Sequence, residues 1–287
     1  MQSAVDARAA TQSRVRWELL ANLIRKDLKV KYKNSALGFL WSLANPLLYL
    51  VVFYVVFSKI LGNGVPNFAV LLMSGLLVWN FFNMATLTAT GAVVGSANLV
   101  KKVRFPRIVL PLASVGFAGV HFVLQLVVLF AFMGVFYRDF AGPQLVLLLP
   151  ALAVAMLFTV AMALLASSLN VRFRDIEHLL EVALLAWFWL TPIVYQVALV
   201  RQKLTGHGLF WAYMINPMTS VVVAMQRAIY RHPVAVDSNH QAHEILAAGG
   251  YAFYFKWLGI AALISLVLLA LGLVAFRRLE ADFAEEL

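Results

Sequence analysis

The stretch LVLLLPALAVAMLFTVAMALLASSL, from Leu145 to Leu169, contains 25 residues and no charged side chain. A helix needs about 20 mostly apolar residues to cross the roughly 30 Å hydrocarbon core of a bilayer. An uninterrupted apolar run of this length is typical of a membrane-spanning helix. The stretch therefore predicts an integral membrane protein.

The composition of the whole chain agrees with a bilayer environment. The 287 residues are 63% hydrophobic and 13% charged, and the mean hydropathy is +0.85. A soluble domain is about 45–50% apolar and about 25% charged. The chain has no cysteine, which excludes disulfides, thiolate catalysis and cysteine-ligated metals. We assign the net charge of +10 to contacts with membrane lipid and not to nucleic-acid binding.

Six stretches have the length and composition of a span, and they predict an all-α membrane protein. The predicted spans are Leu37–Ile60, Phe68–Thr90, Ile108–Tyr137, Leu145–Leu169, Leu179–Val200 and Phe255–Phe276. Pro192 interrupts the fifth span, and Pro217 interrupts a further apolar stretch, Leu209–Ile229, which we expect to form short re-entrant helices. Residues 37–287 are therefore predicted to be one six-helix membrane domain.

The distribution of Lys and Arg predicts the orientation of these spans. With the N-terminus placed in the cytoplasm, sixteen of the 23 basic residues fall on the inner side and seven on the outer side. Basic residues favour the cytoplasmic side of a membrane. We therefore expect both termini to be cytoplasmic and the protein to be a multi-pass protein of the plasma (inner) membrane.

The N-terminal segment, residues 1–36, is predicted to be a cytoplasmic tail followed by an amphipathic interface helix. Between Trp17 and Tyr32 the apolar residues recur at helical spacing and charges occupy the other side. Two interpretations remain open: a plain membrane anchor, or a helix that borders a cytoplasmic entrance. In the second, the cations Arg25, Lys29 and Lys33 attract substrate phosphates.

The first predicted inner loop holds the sequence NLVKKVRFP, residues 98–106. Lys101, Lys102 and Arg104 alternate with the apolar residues Val103 and Phe105. An ordinary topology-determining loop explains the cations but not the apolar residues. Pro106 can end a short helix in this loop or begin the third span at its first turn.

Aromatic residues are frequent on the predicted first and fifth spans. Packing and interfacial belts account for many of them. A second interpretation is a path lined by rings, which suits a glycan because sugar C–H faces pack on aromatic planes. The predicted lining residues are Trp41, Tyr49, Phe53, Phe57, Trp187, Trp189 and Tyr195.

Motifs for nucleotide or metal chemistry are absent from the sequence. No glycine is followed by lysine, so the phosphate-binding GxxxxGK[ST] loop is excluded and any ATP must be bound by another chain. His121 is an isolated ionisable residue in the third span. It is either a relay group or, as we favour, a neutral imidazole bonded to a neighbouring helix. We expect no cofactor or metal in this chain, and we interpret His240, His243 and Glu244 as a solvated loop.

Five local patterns together resemble the permease subunit of ABC transporters that export lipid-linked polysaccharides such as O-antigen, capsule, teichoic acid or galactan. The patterns are LGFLWSLANP (37–46), KKVRFP (101–106), VRFRDI (171–176), WLTPIVY (189–195) and NPM (216–218). The resemblance implies a homodimer, a channel at the dimer interface, two separate ATPase subunits that carry ATP and Mg²⁺, and a lipid-linked glycan as cargo. It also implies that Asn98–Pro106 docks in a groove of the ATPase.

Three other functions are compatible with parts of the sequence. A permease of the same architecture that exports a drug or a small lipid is the main alternative. A lipid-modifying membrane enzyme would need a convergent polar cluster, for which only His240/His243/Glu244 and Asp175/Glu177 come near. An ion-coupled carrier is disfavoured, because His121 is the one ionisable residue near the centre of spans one to four and six.

Overall fold

The computed structural model describes most of the chain and is almost entirely helical. The described residues are 2–33, 35, 40–60, 65, 67–103, 105–136, 142–230, 234–236, 242–247 and 249–286. Within them, four helices are long and apolar enough to cross a membrane. These are α3 (Phe68–Gly95), α5 (Val109–Phe136), α6 (Leu148–Arg172, extended by the 3₁₀ turn Pro143–Leu147) and α11 (Tyr251–Leu279). They confirm four of the predicted spans to within a few residues.

The other elements are shorter, apart from the N-terminal helix. They are α1 (Gln2–Lys31), α2 (Leu40–Phe53, continued by the π-helical turn Tyr54–Ile60), α4 (Ala97–Lys102), α7 (Ile176–Leu190), α8 (Val197–Leu204), the 3₁₀ turn Thr205–His207, α9 (Leu209–Ile215), α10 (Pro217–Ile229) and α12 (Phe283–Glu286). Val234–Val236 (β1) and Ala242–Glu244 (β2) pair antiparallel, with Ala235 opposite His243. This small hairpin is a departure from the all-α prediction.

The fifth predicted span is not a continuous helix. Helix α7 ends at Leu190, residues 191–196 are non-helical, and α8 begins at Val197. Pro192 lacks a backbone N–H and disfavours the helical conformation at Thr191, whose backbone is extended (φ −107°, ψ 137°). The 15 residues of α7 extend about 22 Å, which is less than the bilayer core.

The first predicted span is described from Leu40 to its predicted end at Ile60. Its helix begins at Leu40, contains Pro46, and has a shorter apolar segment, Pro46–Val56. Residues 36–39, where the prediction placed the start of the span, lie outside the described part of the chain.

Helix α3 is the centre of the fold. It packs against α2, α5, α6, α7 and α10, and most of its side chains are buried. Three aromatic rings pack together in this core. The centre of the Phe82 ring lies 5.3 Å from that of Phe158 and 5.6 Å from that of Trp187. Close packing around α3 therefore holds the short helix α7 against the long ones.

Amide side chains satisfy the backbone where helices break. The Gln226 side chain on α10 donates to the carbonyl of Pro192 at 2.9 Å. Asn216 caps α10 by accepting from Met218 N–H at 3.1 Å and also accepts the indole N–H of Trp187 at 3.1 Å. Buried Asn170 donates to the carbonyl of Thr90 and accepts from Glu177 N–H. These bonds replace those that water would supply to a soluble loop.

The region predicted to be re-entrant forms the two short helices α9 and α10. The break falls between Ile215 and Pro217, and Pro217 occupies the first helical position, where its missing N–H costs little. Eleven of the first twelve residues of α10 are buried, together with Ile229. Helix α10 is therefore part of the core, whereas α9 buries only Phe210 and Met214.

We expect Gly272→Leu to lower the thermal stability of the protein. A Cβ at Gly272 would lie 3.1 Å from the Ala161 carbonyl oxygen and 3.4 Å from the Leu165 nitrogen, both backbone atoms of α6. Overpacking of this kind costs about 1–3 kcal/mol, and small residues at such contacts let membrane helices approach closely. The temperature at which detergent-solubilised protein loses its monodisperse elution peak measures the effect.

The matched control is Gly259→Leu on the same helix, where an added Cβ meets no atom within 4 Å. Equal loss of stability in the two variants would contradict a tight contact at Gly272.

Candidate functional site

The loop predicted to dock a partner protein contains the short helix α4 and an extended residue after it. Helix α4 begins after Ser96, and its last residue, Lys102, is followed by Val103 in an extended conformation. Val100 is buried, whereas Val103 is 51% exposed and Leu99 is 36% exposed. Asn98, Lys101 and Lys102 are also exposed. The loop therefore presents apolar and cationic side chains together.

The second half of this loop turns toward the protein interior. Phe105 is half-buried and packs against a small apolar cluster that includes Val100, Phe276 and Phe283. Pro106 lies in the turn before α5, where its carbonyl accepts from Val109 N–H at 3.1 Å. The predicted positions of Pro106, at the end of a loop helix or in the first turn of the span, are both wrong. Arg104 lies outside the described residues.

A cleft of about 560 Å³ separates this loop from the C-terminal end of the chain. Its lining residues are Val100, Lys101, Lys102, Val103, Phe105, Arg107, Arg277, Glu280 and Ala281. Arg107 joins the two walls: its backbone N–H donates to the Glu280 carboxylate at 3.2 Å, and its guanidinium donates to the Glu280 carbonyl. The guanidinium also lies 6.0 Å from the centre of the Phe283 ring. A cation at the C-terminal carbonyls of α11 is favoured by the helix dipole.

A second concavity of about 400 Å³ lies between α2, α3, α5 and the end of α1; we call it the lateral cavity. Two aromatic residues from α2, Trp41 and Tyr49, form one side, and both are about half exposed. Amide side chains from α3 and α5 also line it. The remaining lining residues are Lys31, Tyr32, Pro46, Met73, Leu77, Asn80, Asn83, Met84, His121 and Gln125.

His121 connects α1 to α5 at the wall of the lateral cavity. Its Nδ1 lies 2.9 Å from the Phe117 carbonyl, so we assign the ring proton to Nδ1. Nε2 then accepts from the Tyr32 hydroxyl at 2.6 Å and from the Lys31 ammonium at 3.0 Å. Burial lowers the pKa of Lys31. The histidine bonds a neighbouring helix, which is the role that we favoured from the sequence.

The predicted path-lining aromatics occupy different places. Trp41 and Tyr49 line the lateral cavity, and the ring of Phe53 stacks on that of Tyr49 at 5.7 Å. Trp187 packs within the core, whereas Trp189 is 60% exposed. The Tyr195 hydroxyl bonds the Trp189 carbonyl and the Tyr213 hydroxyl. The side chain of Phe57 lies outside the described set.

The three cations predicted at a substrate entrance lie on α1 and just after it. Arg25 and Lys29 are one turn apart and exposed, and Lys33 is exposed after the helix ends. A close contact between Ile24 and Gly116 packs this helix on α5, because a Cβ at Gly116 would overlap the end of the Ile24 side chain. The other titratable cluster, at the start of α7, is exposed and contains one ion pair, His178 with Glu181 at 3.9 Å. His240 lies outside the described residues.

Sequence reasoning missed the polar half of the lateral cavity and the C-terminal wall of the cleft. Asn80, Asn83 and Gln125 are amides inside apolar stretches. Polar residues in such stretches are typical of functional positions, so the sequence could have indicated them. Glu280 carried no comparable signal, because its contact with Arg107 joins positions 173 residues apart.

Comparison with known proteins assigns the chain to a family. The ABC-2 type transporter family matches residues 18–230. The chain belongs to the ABC-2 type transporter family. It is 30% identical over 94% of its length to an O-antigen export system permease protein RfbA of Klebsiella pneumoniae, of which it covers 95%. It is 32% identical over 75% of its length to a permease of the same name from Myxococcus xanthus, with 81% covered.

A more distant relative is the polysialic acid transport protein KpsM of Escherichia coli, at 21% identity over 72% of this chain and 79% of that protein. Membership of the ABC-2 family confirms the resemblance drawn from the sequence, and it makes the chain a multi-pass transport subunit of the inner membrane. ABC-2 permeases generally work with an ABC ATPase. The family assignment therefore gives the chain a class of partner, an ABC ATPase.

We expect His121→Leu to detach α1 from α5. The substitution removes both bonds to Lys31 and Tyr32, each worth about 0.5–1.5 kcal/mol. Because the chain has no native cysteine, an Ile24→Cys/Gly116→Cys pair reports docking of α1 directly. Its oxidative cross-linking rate in membranes should fall several-fold when His121 is replaced.

Gln125→Leu is the matched control, since Gln125 lines the same cavity one turn away. An unchanged cross-linking rate with His121→Leu would show that the histidine does not hold α1.

Proposed function

We propose that this ABC-2 permease is the membrane subunit of an ATP-driven exporter of lipid-linked polysaccharide. The observation that carries the proposal is the lateral cavity, whose lining combines exposed aromatic rings with amide side chains. Ring faces suit the C–H surfaces of sugars, and amides both donate to and accept from hydroxyl groups. Relatives that are named for O-antigen export support the same class of cargo.

The proposed exporter contains two copies of this chain, with the channel between them. Helices α2 and α7 support this arrangement, because each carries large apolar side chains that stay exposed in the single chain; they include Leu48 (62%), Val182 (69%) and Leu185 (66%). A second copy would cover such surfaces and close the lateral cavity into a path. Native mass measurement of the complex with its ATPase tests the proposed stoichiometry of two permeases and two ATPases.

The proposed topology keeps six passes and both termini in the cytoplasm. The segment Leu40–Ile60 and the pair α7 and α8 would complete the four long spans, with α9 and α10 inserted from the outer side. The excess of basic residues on the inner side supports this orientation. In this topology the loop at α4 and the C-terminal segment both lie on the cytoplasmic side.

The proposed route of the cargo begins at α1. Arg25 and Lys29 are exposed on α1 and Lys33 is exposed just after it, and Lys31 and Tyr32 at the end of this helix line the lateral cavity. Guanidinium and ammonium groups there would attract the phosphates of a lipid-linked glycan. Export that persists after charge reversal at all three positions would contradict this part of the proposal.

ATP and Mg²⁺ would be bound by the ATPase subunit, and this chain would receive its motion at α4. Val103 and Leu99 are the exposed apolar residues of that loop, while the half-burial of Phe105 in the internal cluster leaves it less surface to offer a partner. The cations on either side would pair with acidic groups at the rim of a groove in the ATPase.

We expect Trp41→Ala combined with Tyr49→Ala to reduce glycan export about tenfold. Aromatic contacts contribute about 0.5–1.5 kcal/mol each beyond their burial, and 1.4 kcal/mol corresponds to a factor of ten. The measurement is ATP-dependent release of labelled lipid-linked glycan in proteoliposomes that contain the permease and its ATPase.

Tyr54→Ala is the control, because Tyr54 lies on the same helical segment but does not line the cavity. If the double variant exports glycan at the normal rate, or exports a small lipid in its place, the assignment of the cavity to a glycan is wrong.

We expect Val103→Asp to weaken ATPase binding about tenfold or more while membrane insertion stays normal. The carboxylate would replace the apolar contact with the partner and would compete with the partner's acidic groups for Lys101 and Lys102; a polar group buried without a good partner costs about 1–3 kcal/mol. Co-purification and permease-stimulated ATP hydrolysis measure the loss. Val103→Ile keeps the apolar contact and should bind normally, and a matching defect in that variant would rule out a purely apolar contact.

A further inference from the structure

The cleft between the α4 loop and the C-terminal end of α11 is strongly cationic. Lys101 and Lys102 stand on the loop side, Arg277 on the C-terminal side, and Arg107 between them. Glu280 is the one carboxylate among the lining residues. Four positive charges therefore surround a concave space of about 560 Å³ with a single negative charge.

The carboxylate of Glu280 is already engaged in holding the cleft together. Its Oε1 accepts the Arg107 backbone N–H, and the Arg107 guanidinium is bound to the Glu280 carbonyl. Among the described residues, Lys101, Lys102 and Arg277 have no ion-pair partner. Three cations in the cleft thus remain available to an incoming anion.

The C-terminal wall is built into the fold and is not a trailing tail. Phe283 is buried, its ring meets that of Phe276 edge-on at 5.4 Å, and it lies beneath the Arg107 guanidinium. Helix α12 packs on α4 and α6. A wall that is held in place before a partner arrives avoids the cost of ordering it on binding.

We propose that this cleft receives a carboxylate-bearing segment of the ATPase subunit, so that Arg277–Ala281 is a second docking element beside the α4 loop. This inference rests on the proposed function, which supplies the ATPase. Three unpaired cations are complementary to an acidic loop or helix end, and charge complementarity of this kind determines which partner docks and how fast.

A protein segment fits the surroundings of the cleft better than an anionic lipid headgroup does. Val103 forms part of the lining and is 51% exposed, and Leu99 is exposed one turn earlier on α4. A protein partner can cover these apolar side chains while its carboxylates meet the cations, whereas a polar headgroup leaves the apolar side chains in water.

The test compares two adjacent arginines at the end of α11. Arg277 lines the cleft and Arg278 does not, yet both are exposed and their charge reversals change the net charge equally. We expect Arg277→Glu to weaken binding of the ATPase subunit at least about tenfold, as expected when one partner of an interfacial charge pair is reversed. Arg278→Glu should bind as the unaltered permease does. Binding is measured with the full-length permease in nanodiscs of zwitterionic lipid and again in nanodiscs with added anionic lipid.

Each outcome decides a different point. Loss in Arg277→Glu alone, in both kinds of nanodisc, supports the docking element. Equal behaviour of the two variants overturns it, because the effect is then one of net charge or is absent. A loss that occurs only with anionic lipid also overturns it and identifies a headgroup site. If the unaltered permease binds no ATPase, the proposed function itself fails, and this inference fails with it.

Discussion

Backbone groups freed at helix breaks need internal partners, and this constraint explains much of the structure. In an apolar chain, a break without such a partner leaves an N–H or carbonyl unsatisfied at a cost of several kcal/mol. At Pro192 the freed carbonyl accepts from Gln226, and that bond attaches α10 to the end of α7. At Asn216 one side-chain oxygen serves both Met218 N–H and the Trp187 indole. Short helices can therefore lie among long spans without exposing their ends.

Hydrogen bonds between polar groups also connect α1 to the wall of the lateral cavity. His121 is the one ionisable residue near the middle of α5, and its two ring nitrogens are used by Phe117 within the helix and by Lys31 and Tyr32 outside it. The N-terminal helix is therefore attached to a span beside Trp41 and Tyr49, which line the same space. A movement of α1 would alter the mouth of the cavity, which links an interface helix to the proposed path of the cargo.

Near α4, two segments that are far apart in the sequence meet. The loop after α3 and the end of α11 are joined by Arg107, which bonds Glu280 through both its backbone and its side chain. Phe105, Phe276 and Phe283 form the apolar layer beneath. A force applied by a partner at α4 would reach α3, α5 and α11 together, because all three are anchored in that layer. In the proposed mechanism, such a contact would let this permease respond to ATP that is bound by another chain.

The sequence by itself determined the class of protein, four of the long spans, the breaks at Pro192 and Pro217, and the exposed apolar residue Val103 among cations. These features are local: hydrocarbon thickness sets the length of an apolar run, and proline lacks a backbone N–H and disfavours the helical conformation at the residue before it. Family membership also followed, since its motifs are short and in order. The length of the fifth span was not predictable in this way, because a proline inside an apolar stretch can be accommodated, as Pro46 is in α2, or can lie at a helix break, as Pro192 does.

Only the tertiary structure decided which faces meet. Trp187 and Trp41 are alike in sequence, yet one packs in the core against Phe82 and the other lines the lateral cavity. Asn80 and Gln125 converge on that cavity from separate helices, and Glu280 reaches Arg107 across 173 positions. Helices that are apolar on all sides carry no sequence pattern to mark their inward face. The physical reason is that their orientation follows from side-chain packing against neighbours and from the few polar groups that must find partners.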